Sequence, residues 1–182
     1  MKTAVISYSF TGNNEALAGQ IAGELSAEHV RIKETKRRNT GSILLDVIFN
    51  KTPKAEPAPE TLENYDLLLF VGPVWMGQAA SPLRAYLERL KTNPTKYAFI
   101  SLSGGAAGSN PKLADDLKKR AGSEPAALID LHIADLLPPG PKPTMKDTSS
   151  YRIKDADLKK LTDKIVKTVR ESVLARGVQA EK

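Results

Sequence analysis

A run of five apolar residues, Leu67 to Val71, constrains the fold of this chain more than any other feature. It reads Leu-Leu-Leu-Phe-Val, follows Asp66 and ends at Gly72-Pro73. A strand that is apolar at every position is buried on both faces, which is typical of a parallel sheet covered by helices on its two sides. The run therefore predicts a central strand of an α/β protein.

Segments of two kinds alternate along the rest of the chain. Strand-like runs occur at 3–8, 27–33, 97–102 and 126–133, and helical patterns occur at 15–25, 81–90, 110–121 and 154–176. Ser81 and Asn110 each precede a proline, which predicts two helices that start with an N-cap residue and a proline at the first position. Alternating strands and helices predict a three-layer, doubly wound parallel sheet of five strands.

The length of 182 residues and an ordinary globular composition predict a single domain. We expect residues 1–176 to form it, with insertions near 36–64 and 136–150 and a flexible tail at 177–182. Segment 136–150 contains four prolines and is expected to hold no regular structure. Segment 41–50 is strongly apolar, and we interpret it as a second helix on the sheet in preference to a lid or a dimer contact.

The composition excludes several classes of site. The chain has no Cys, which excludes a disulfide framework and a Cys-type metal site, and its two His argue against a multi-His metal site, so no metal site is expected. His29 and His132 fall in or beside strands, where we expect structural roles. No apolar run approaches the ~20 residues of a membrane span, and the N-terminus lacks a signal-peptide pattern. A cytoplasmic protein is the expectation.

Three loops follow the first, third and fourth predicted strands, where a parallel sheet binds its ligand. Ser9 to Asn14 enters a helix without any Lys or Arg, so its hydroxyl and N–H groups suit one phosphate monoester. Gly72 to Gln78 holds the only Trp, which could stack on a planar ring, and a glycine that permits a turn. Residues 101–108 include three Gly and two Ala, which leaves backbone N–H groups accessible to a polar ring edge.

Each loop also has a simpler interpretation. The first could be an ordinary capped turn, the second could fold its Trp back onto the core, and the third could be a flexible loop without a role. A ligand site requires the three loops to converge.

The residues of these loops resemble the flavodoxin-like family. Tyr8 to Glu15 is similar to the family's Ser-x-Thr-Gly-Asn-Thr-Glu loop for the phosphate of FMN, with Asn14 where Thr is usual; its amide could still donate to phosphate. The second loop resembles the segment that packs on the isoalloxazine ring, and the third resembles the one that binds its pyrimidine edge. The resemblance implies the strand order 2-1-3-4-5 and FMN as cofactor. The cofactor-binding residues it implies are Ser9, Phe10, Thr11, Gly12, Asn13, Asn14, Pro73, Val74, Trp75, Met76, Gly77, Ser103, Gly104 and Gly105.

The resemblance implies that Trp75 packs along one face of the flavin ring and that the backbone near Gly77 contacts flavin N5. The flavin carries the chemistry, so no catalytic acid or base is expected among the side chains. Other nucleotide and hydrolase motifs are absent: there is no phosphate-loop motif, no dinucleotide motif after the first strand, and Ser101 stands where a nucleophile elbow needs Gly. A receiver domain would need acidic residues where Tyr8-Ser9 stands.

Charge distinguishes two redox roles. Carriers of this family are typically acidic, whereas this chain has a formal charge of +6 and a basic cluster, Arg31, Lys33, Lys36, Arg37 and Arg38. Carriers also tend to place a second aromatic residue in the third loop, and Leu102 to Gly108 has none. Both features favour an oxidoreductase that reacts with NAD(P)H or a quinone. Enzymes of this family are often oligomeric, so that a neighbouring copy closes the site, and the resemblance therefore implies a homodimer as one form of this chain. The alternatives are a carrier with a redox partner protein, and a flavin-free interaction module; nucleic-acid binding lacks the interleaved aromatic and basic residues it needs.

Overall fold

The computed structural model describes residues 1–35, 46, 49–104 and 110–177, with side chains described as far as residue 173. Its main sheet contains β1 (Thr3–Ser7), β2 (Glu28–Arg31), β3 (Leu67–Val71), β4 (Lys96–Ser103) and β5 (Ala127–His132). These strands are all parallel and lie in the order β2-β1-β3-β4-β5. The predicted order 2-1-3-4-5 is therefore confirmed.

Helices cover both faces of the sheet. They are α1 (Asn13–Leu25), α2 (Arg84–Arg89), α3 (Leu113–Ala121), α4 (Met145–Ser150) and α5 (Asp155–Gly177). Alternate residues of each strand point to opposite faces, which divides the apolar residues into two cores. α1 and α5 pack on the core that contains Val5 and Leu69. α2 and α3 pack on the core that contains Ile6 and Phe70. The three-layer prediction is confirmed.

Short elements connect this framework. Lys33–Glu34 pairs with Ala55–Glu56, and Val74–Trp75 pairs with Gln78–Ala79, both antiparallel. Single 3₁₀ turns span Pro59–Leu62, Ser81–Leu83 and Ile133–Leu136. Among the described residues, no helix has the length and apolar character that crossing a membrane requires.

Three details of the predicted helices are wrong. α3 begins at Leu113, because the side chain of Asn110 donates to Asp130 and is not used as a cap. Ser81 lies inside a 3₁₀ turn that has no side-chain cap. The segment 136–150 does contain a helix, α4, because Thr144 and Asp147 form a reciprocal capping box directly after the last proline.

Two predictions concern segments that the structure describes only in part. Of the apolar segment 41–50, residues 41–45 and 47–48 lie outside the described residues, so its interpretation as a covering helix stays a prediction. The tail at 177–182 overlaps the last residue of α5, and residues 178–182 also lie outside the described part. The single-domain boundary at residue 176 stays a prediction as well.

Candidate functional site

The three loops converge at the carboxyl ends of β1, β3 and β4. The backbone N–H of Val74 in the second loop donates to Oγ of Ser103 in the third, over 2.9 Å. Asn14, at the start of α1, donates its Nδ2 to the carbonyl of Leu102 over 2.9 Å. The N–H of Leu102 donates back to Asn14 Oδ1 over 3.0 Å. The convergence that a ligand site requires is therefore present.

The first loop presents polar hydrogens around the start of α1. Gly12 is the N-cap residue, has φ +92°, and leaves the helix start without a side-chain cap. The N–H groups of a first helical turn have no partner inside the helix, so they can bind an anion. Ser9 Oγ accepts from the N–H of Gly12 over 2.9 Å, and Thr11 Oγ1 accepts from Asn13 Nδ2 over 3.3 Å. Since both hydroxyl oxygens accept within the loop, their hydrogens remain to donate to a ligand.

The side chains of Asn13 and Asn14 turn inward. Both are buried. Asn13 donates Nδ2 to the carbonyl of Tyr151 over 3.1 Å and accepts at Oδ1 from the N–H of Ile153 over 2.9 Å. Asn14 bonds the end of β4 in the same reciprocal way. Both amides are engaged within the protein, because a buried amide must satisfy its polar atoms and the ends of neighbouring segments offer matching groups. That the Asn14 amide donates to phosphate stays a prediction.

The second loop is a tight hairpin. Met76 and Gly77 form its tip and have φ values of +52° and +79°. A type I′ turn requires a positive φ at both central residues, as found here. Met76 is 67% exposed. Trp75 is half-buried and packs edge to face against Tyr8, with ring centroids 5.7 Å apart. Trp75 therefore combines the two interpretations of the sequence, since one part packs on the core and the rest is accessible.

Close packing fixes the base of this hairpin. A Cβ at Gly72 would lie 2.6 Å from Cδ1 of Leu83, so a larger residue there would require the buried Leu83 side chain to shift. Pro73 is buried, and its carbonyl accepts from the N–H of Ala80 over 3.1 Å. Of the predicted binding residues on this loop, Pro73 is therefore buried at the base of the hairpin, whereas Met76 and Gly77 lie at its tip.

The third loop is held by a residue that the sequence analysis missed. Ser103 is buried, and the carbonyl of Gly104 accepts a hydrogen bond from the hydroxyl of Thr148 on α4. The Thr-x-x-Asp pattern at 144–147, directly after a proline, was the signal that could have placed this helix. Gly105, the remaining predicted residue, lies outside the described residues.

Asp130 anchors the far end of the third loop. Its Oδ2 accepts from the N–H and the Nδ2 of Asn110, over 3.0 and 2.9 Å, and its Oδ1 accepts from Ser101. Burial raises the pKa of Asp130, but these hydrogen bonds outweigh it and hold the pKa below the usual range. His132 Nε2 lies 3.5 Å from the same carboxylate. The carboxylate thus ties the last two sheet strands to the residue where the loop ends.

Two other residues singled out in the sequence, His29 and Arg31, lie on β2. His29 Nε2 and Ser7 Oγ are 2.8 Å apart, and burial, with a smaller contribution from Arg31, lowers the pKa of His29. Arg31 pairs with Glu15 on α1 over 2.9 Å at the protein surface. Of the basic cluster, Lys36, Arg37 and Arg38 lie outside the described residues.

No family model and no curated protein match this chain. Several solved structures do match it. A flavoprotein from Lactobacillus acidophilus NCFM in complex with FMN aligns with TM-score 0.60 at 24% identity, over 71% of this chain and 92% of that chain. The apo-form of the flavoprotein from the same organism aligns with TM-score 0.54 at 22% identity, over 82% of this chain and 97% of that chain. A flavodoxin from the domain Archaea aligns with TM-score 0.53 at 13% identity, over 94% of this chain and 99% of that chain. At these identities the likeness concerns the fold, and this chain has the flavodoxin-like fold.

Proposed function

We propose that this chain is an FMN-binding flavoprotein. The observation that carries the proposal is the start of α1, where Gly12 leaves the first-turn N–H groups uncapped and two hydroxyls flank them. Helix N-termini bind anions because their N–H groups and the helix dipole both favour negative charge. A phosphate monoester matches this set of uncharged donors, and a solved structure of the same fold contains FMN.

The remaining loops suit the ring of the same molecule. The hairpin tip offers backbone groups at Met76 and Gly77, and the accessible part of Trp75 offers an aromatic surface for packing. The backbone near Ser103 and Gly104 offers hydrogen-bonding groups to a polar ring edge. When bound, FMN supplies hydride or electron transfer, while the chain binds and orients it.

We further propose that the protein is an oxidoreductase that uses NAD(P)H or a quinone. The formal charge of +6 supports anionic small molecules as reactants. A carrier is the second candidate, because Phe10 and Met76 expose apolar surface beside the site, where a partner protein could dock.

Purification and cofactor release test the first proposal. We expect a yellow protein whose released flavin is FMN, and an apo-protein that quenches the fluorescence of added FMN. A colourless protein that leaves FMN fluorescence unchanged would contradict it. Anaerobic mixing of holoprotein with NADH or NADPH then separates the two roles: rapid flavin reduction indicates the oxidoreductase, and reduction only by a partner protein indicates the carrier.

The Thr11→Asp substitution tests the phosphate loop. A carboxylate beside the uncapped start of α1 would repel a phosphate, so we expect FMN affinity to fall by at least about tenfold. Titration of apo-protein by flavin fluorescence measures it, and Thr11→Ser, which keeps the hydroxyl, is the control. Equal affinity in Thr11→Asp and wild type would place the phosphate elsewhere.

A further inference from the structure

Two buried arginines lie behind the hairpin and share one acceptor. Arg84 on α2 is 0% exposed and Arg120 on α3 is 7% exposed. Arg84 Nη2 donates to Oε1 of Gln78 over 2.9 Å, and Arg120 Nη2 donates to the same oxygen over 3.4 Å. Gln78 pairs with Trp75 across the hairpin. A single amide oxygen of the second loop is thus held from two helices.

A carboxylate on α3 holds the next residue of the hairpin. Asp116 Oδ2 accepts from the backbone N–H of Ala79 over 3.0 Å. Its Oδ1 accepts from Arg120 Nε over 2.8 Å, so the carboxylate and the guanidinium form one unit. Both residues of the returning strand, Gln78 by its side chain and Ala79 by its backbone, are therefore fixed to the helix layer.

The same two guanidinium groups also hold residues of the segment between the paired strands Lys33–Glu34 and Ala55–Glu56. Arg84 Nη1 donates to the carbonyls of Asp46 and Lys51 over 3.2 and 3.1 Å. Arg120 Nη2 donates to Asn50 Oδ1 over 3.0 Å. The guanidinium groups of Arg84 and Arg120 consequently join Gln78 to these three residues, although Lys51 precedes Gln78 by 27 positions in the chain.

Burying two guanidinium groups close together is electrostatically unfavourable, which calls for a physical reason. Burial, and secondarily the charge of Arg120, lower the pKa of Arg84, so this cation is held against an unfavourable environment. Close by, Met76 has a left-handed φ of +52°, which a non-glycine residue keeps only where its surroundings constrain it. A rigid base for the hairpin supplies that constraint.

We propose that Gln78 is a positioning residue: the two buried guanidinium groups hold it so that the Met76–Gly77 turn keeps one conformation for the flavin ring, and they couple that turn to Asn50 and Lys51. The part that concerns flavin rests on the proposed function. The coupling itself is a property of the apo-protein.

The Gln78→Leu substitution tests this, because Leu keeps similar bulk and removes the shared acceptor. We expect amide hydrogen exchange of the apo-protein to accelerate at 74–79 and at 49–51 by about tenfold, with α1 and β3 unchanged. We also expect FMN affinity to fall by about tenfold. Arg89→Gln is the control. Arg89 lies on α2, as Arg84 does, but it pairs with Glu63 and not with the hairpin.

Specific outcomes would overturn the proposal. Unchanged exchange at 74–79, equal acceleration across the whole chain, or the same local acceleration in the Arg89→Gln control would show that Gln78 does not fix the hairpin. Faster local exchange with FMN affinity within twofold of wild type would show that the turn needs no such positioning. If Gln78→Leu does not fold, Gln78→Asn, which keeps the amide but shortens its reach, is measured with the same criteria. A wild-type protein that binds no FMN would refute the proposed function, and exchange alone would then decide the coupling.

Discussion

At the tip of the hairpin, Met76 adopts φ +52° beside Gly77 at +79°. A left-handed conformation costs a residue with a Cβ roughly 1–2 kcal/mol, and Met76 buries little of its side chain in return. Asn13 and Asn14 differ from Met76, since the amide oxygen and nitrogen of each bond backbone groups of other segments. Strain in this site is therefore concentrated at the turn that would meet the ring.

The Met76→Asn substitution should relieve that strain. Asn tolerates the left-handed region, and Asn-Gly is the preferred pair in a type I′ turn, so we expect the apo-protein to gain about 0.5–1 kcal/mol and a few degrees in Tm. Thermal unfolding followed by circular dichroism measures the change. Gly77→Ala is the companion variant and should lose stability because of its φ. A lower Tm in Met76→Asn would mean that the exposed Met side chain stabilises the fold.

Among the elements, α4 has the closest relation to the third loop. A helix of six residues is not stable alone, so α4 depends on its capping box and on contacts with the rest of the chain. Thr148 supplies such a contact through its hydrogen bond to the carbonyl of Gly104. α1 depends on partners in the same way, because Asn13 ties its first turn to the segment that links α4 to α5. The site is thus assembled from elements that stabilise one another.

The Thr148→Val substitution measures this contact. Val keeps the shape of Thr but leaves the buried carbonyl of Gly104 without its donor, so we expect a loss of about 1–2 kcal/mol in the free energy of unfolding. Urea denaturation gives the value. Ser149→Ala on the same helix is the control, because the Ser149 hydroxyl is exposed and bonds only its own helix. Equal stability of Thr148→Val and wild type would remove α4 from the description of the site.

For the molecule as a whole, two cores on either side of a parallel sheet carry the stability, and charge modulates it. The chain has a formal charge of +6, and protonation of its carboxylates in acid increases that charge. Asp130 links this global effect to the site, because its carboxylate joins β4 and β5 to Asn110. Folding lowers its pKa from 3.8, so the ionised form stabilises the native state above that pH. This stabilisation is lost as the pH falls through the lower pKa of the folded state.

We therefore expect the free energy of unfolding to decrease in acid, below about pH 4, and part of that decrease to depend on Asp130. Asp130→Asn should be less stable than wild type at pH 7, and the difference between the two should shrink toward pH 2. Urea denaturation at pH 7, 5 and 3 checks this, with Asp163→Asn, which removes an exposed carboxylate of α5, as control. A difference that stays constant with pH would show that the ionised state of Asp130 contributes nothing.

The layers of the sheet and the loops that meet at its edge could be predicted from the order of the residues. A fully apolar run such as Leu67 to Val71 is stable where both faces of the strand are buried. A glycine and hydroxyl groups directly before a helix favour the binding of an anion. Both follow from neighbouring residues alone. The contacts of individual site residues with FMN stay predictions.

The partners of the polar side chains, in contrast, become evident in the folded chain. Asn110 matches the pattern of a helix cap, yet a buried carboxylate from β5 offers its amide a stronger bond. Asn14 suits a phosphate in the sequence, yet the end of β4 supplies both a donor and an acceptor. Gln78 stood out in no pattern, because its two guanidinium partners come from helices that follow later in the chain. Apolar residues need only to leave water, whereas a polar residue needs a particular partner, and that partner is known once the chain has folded.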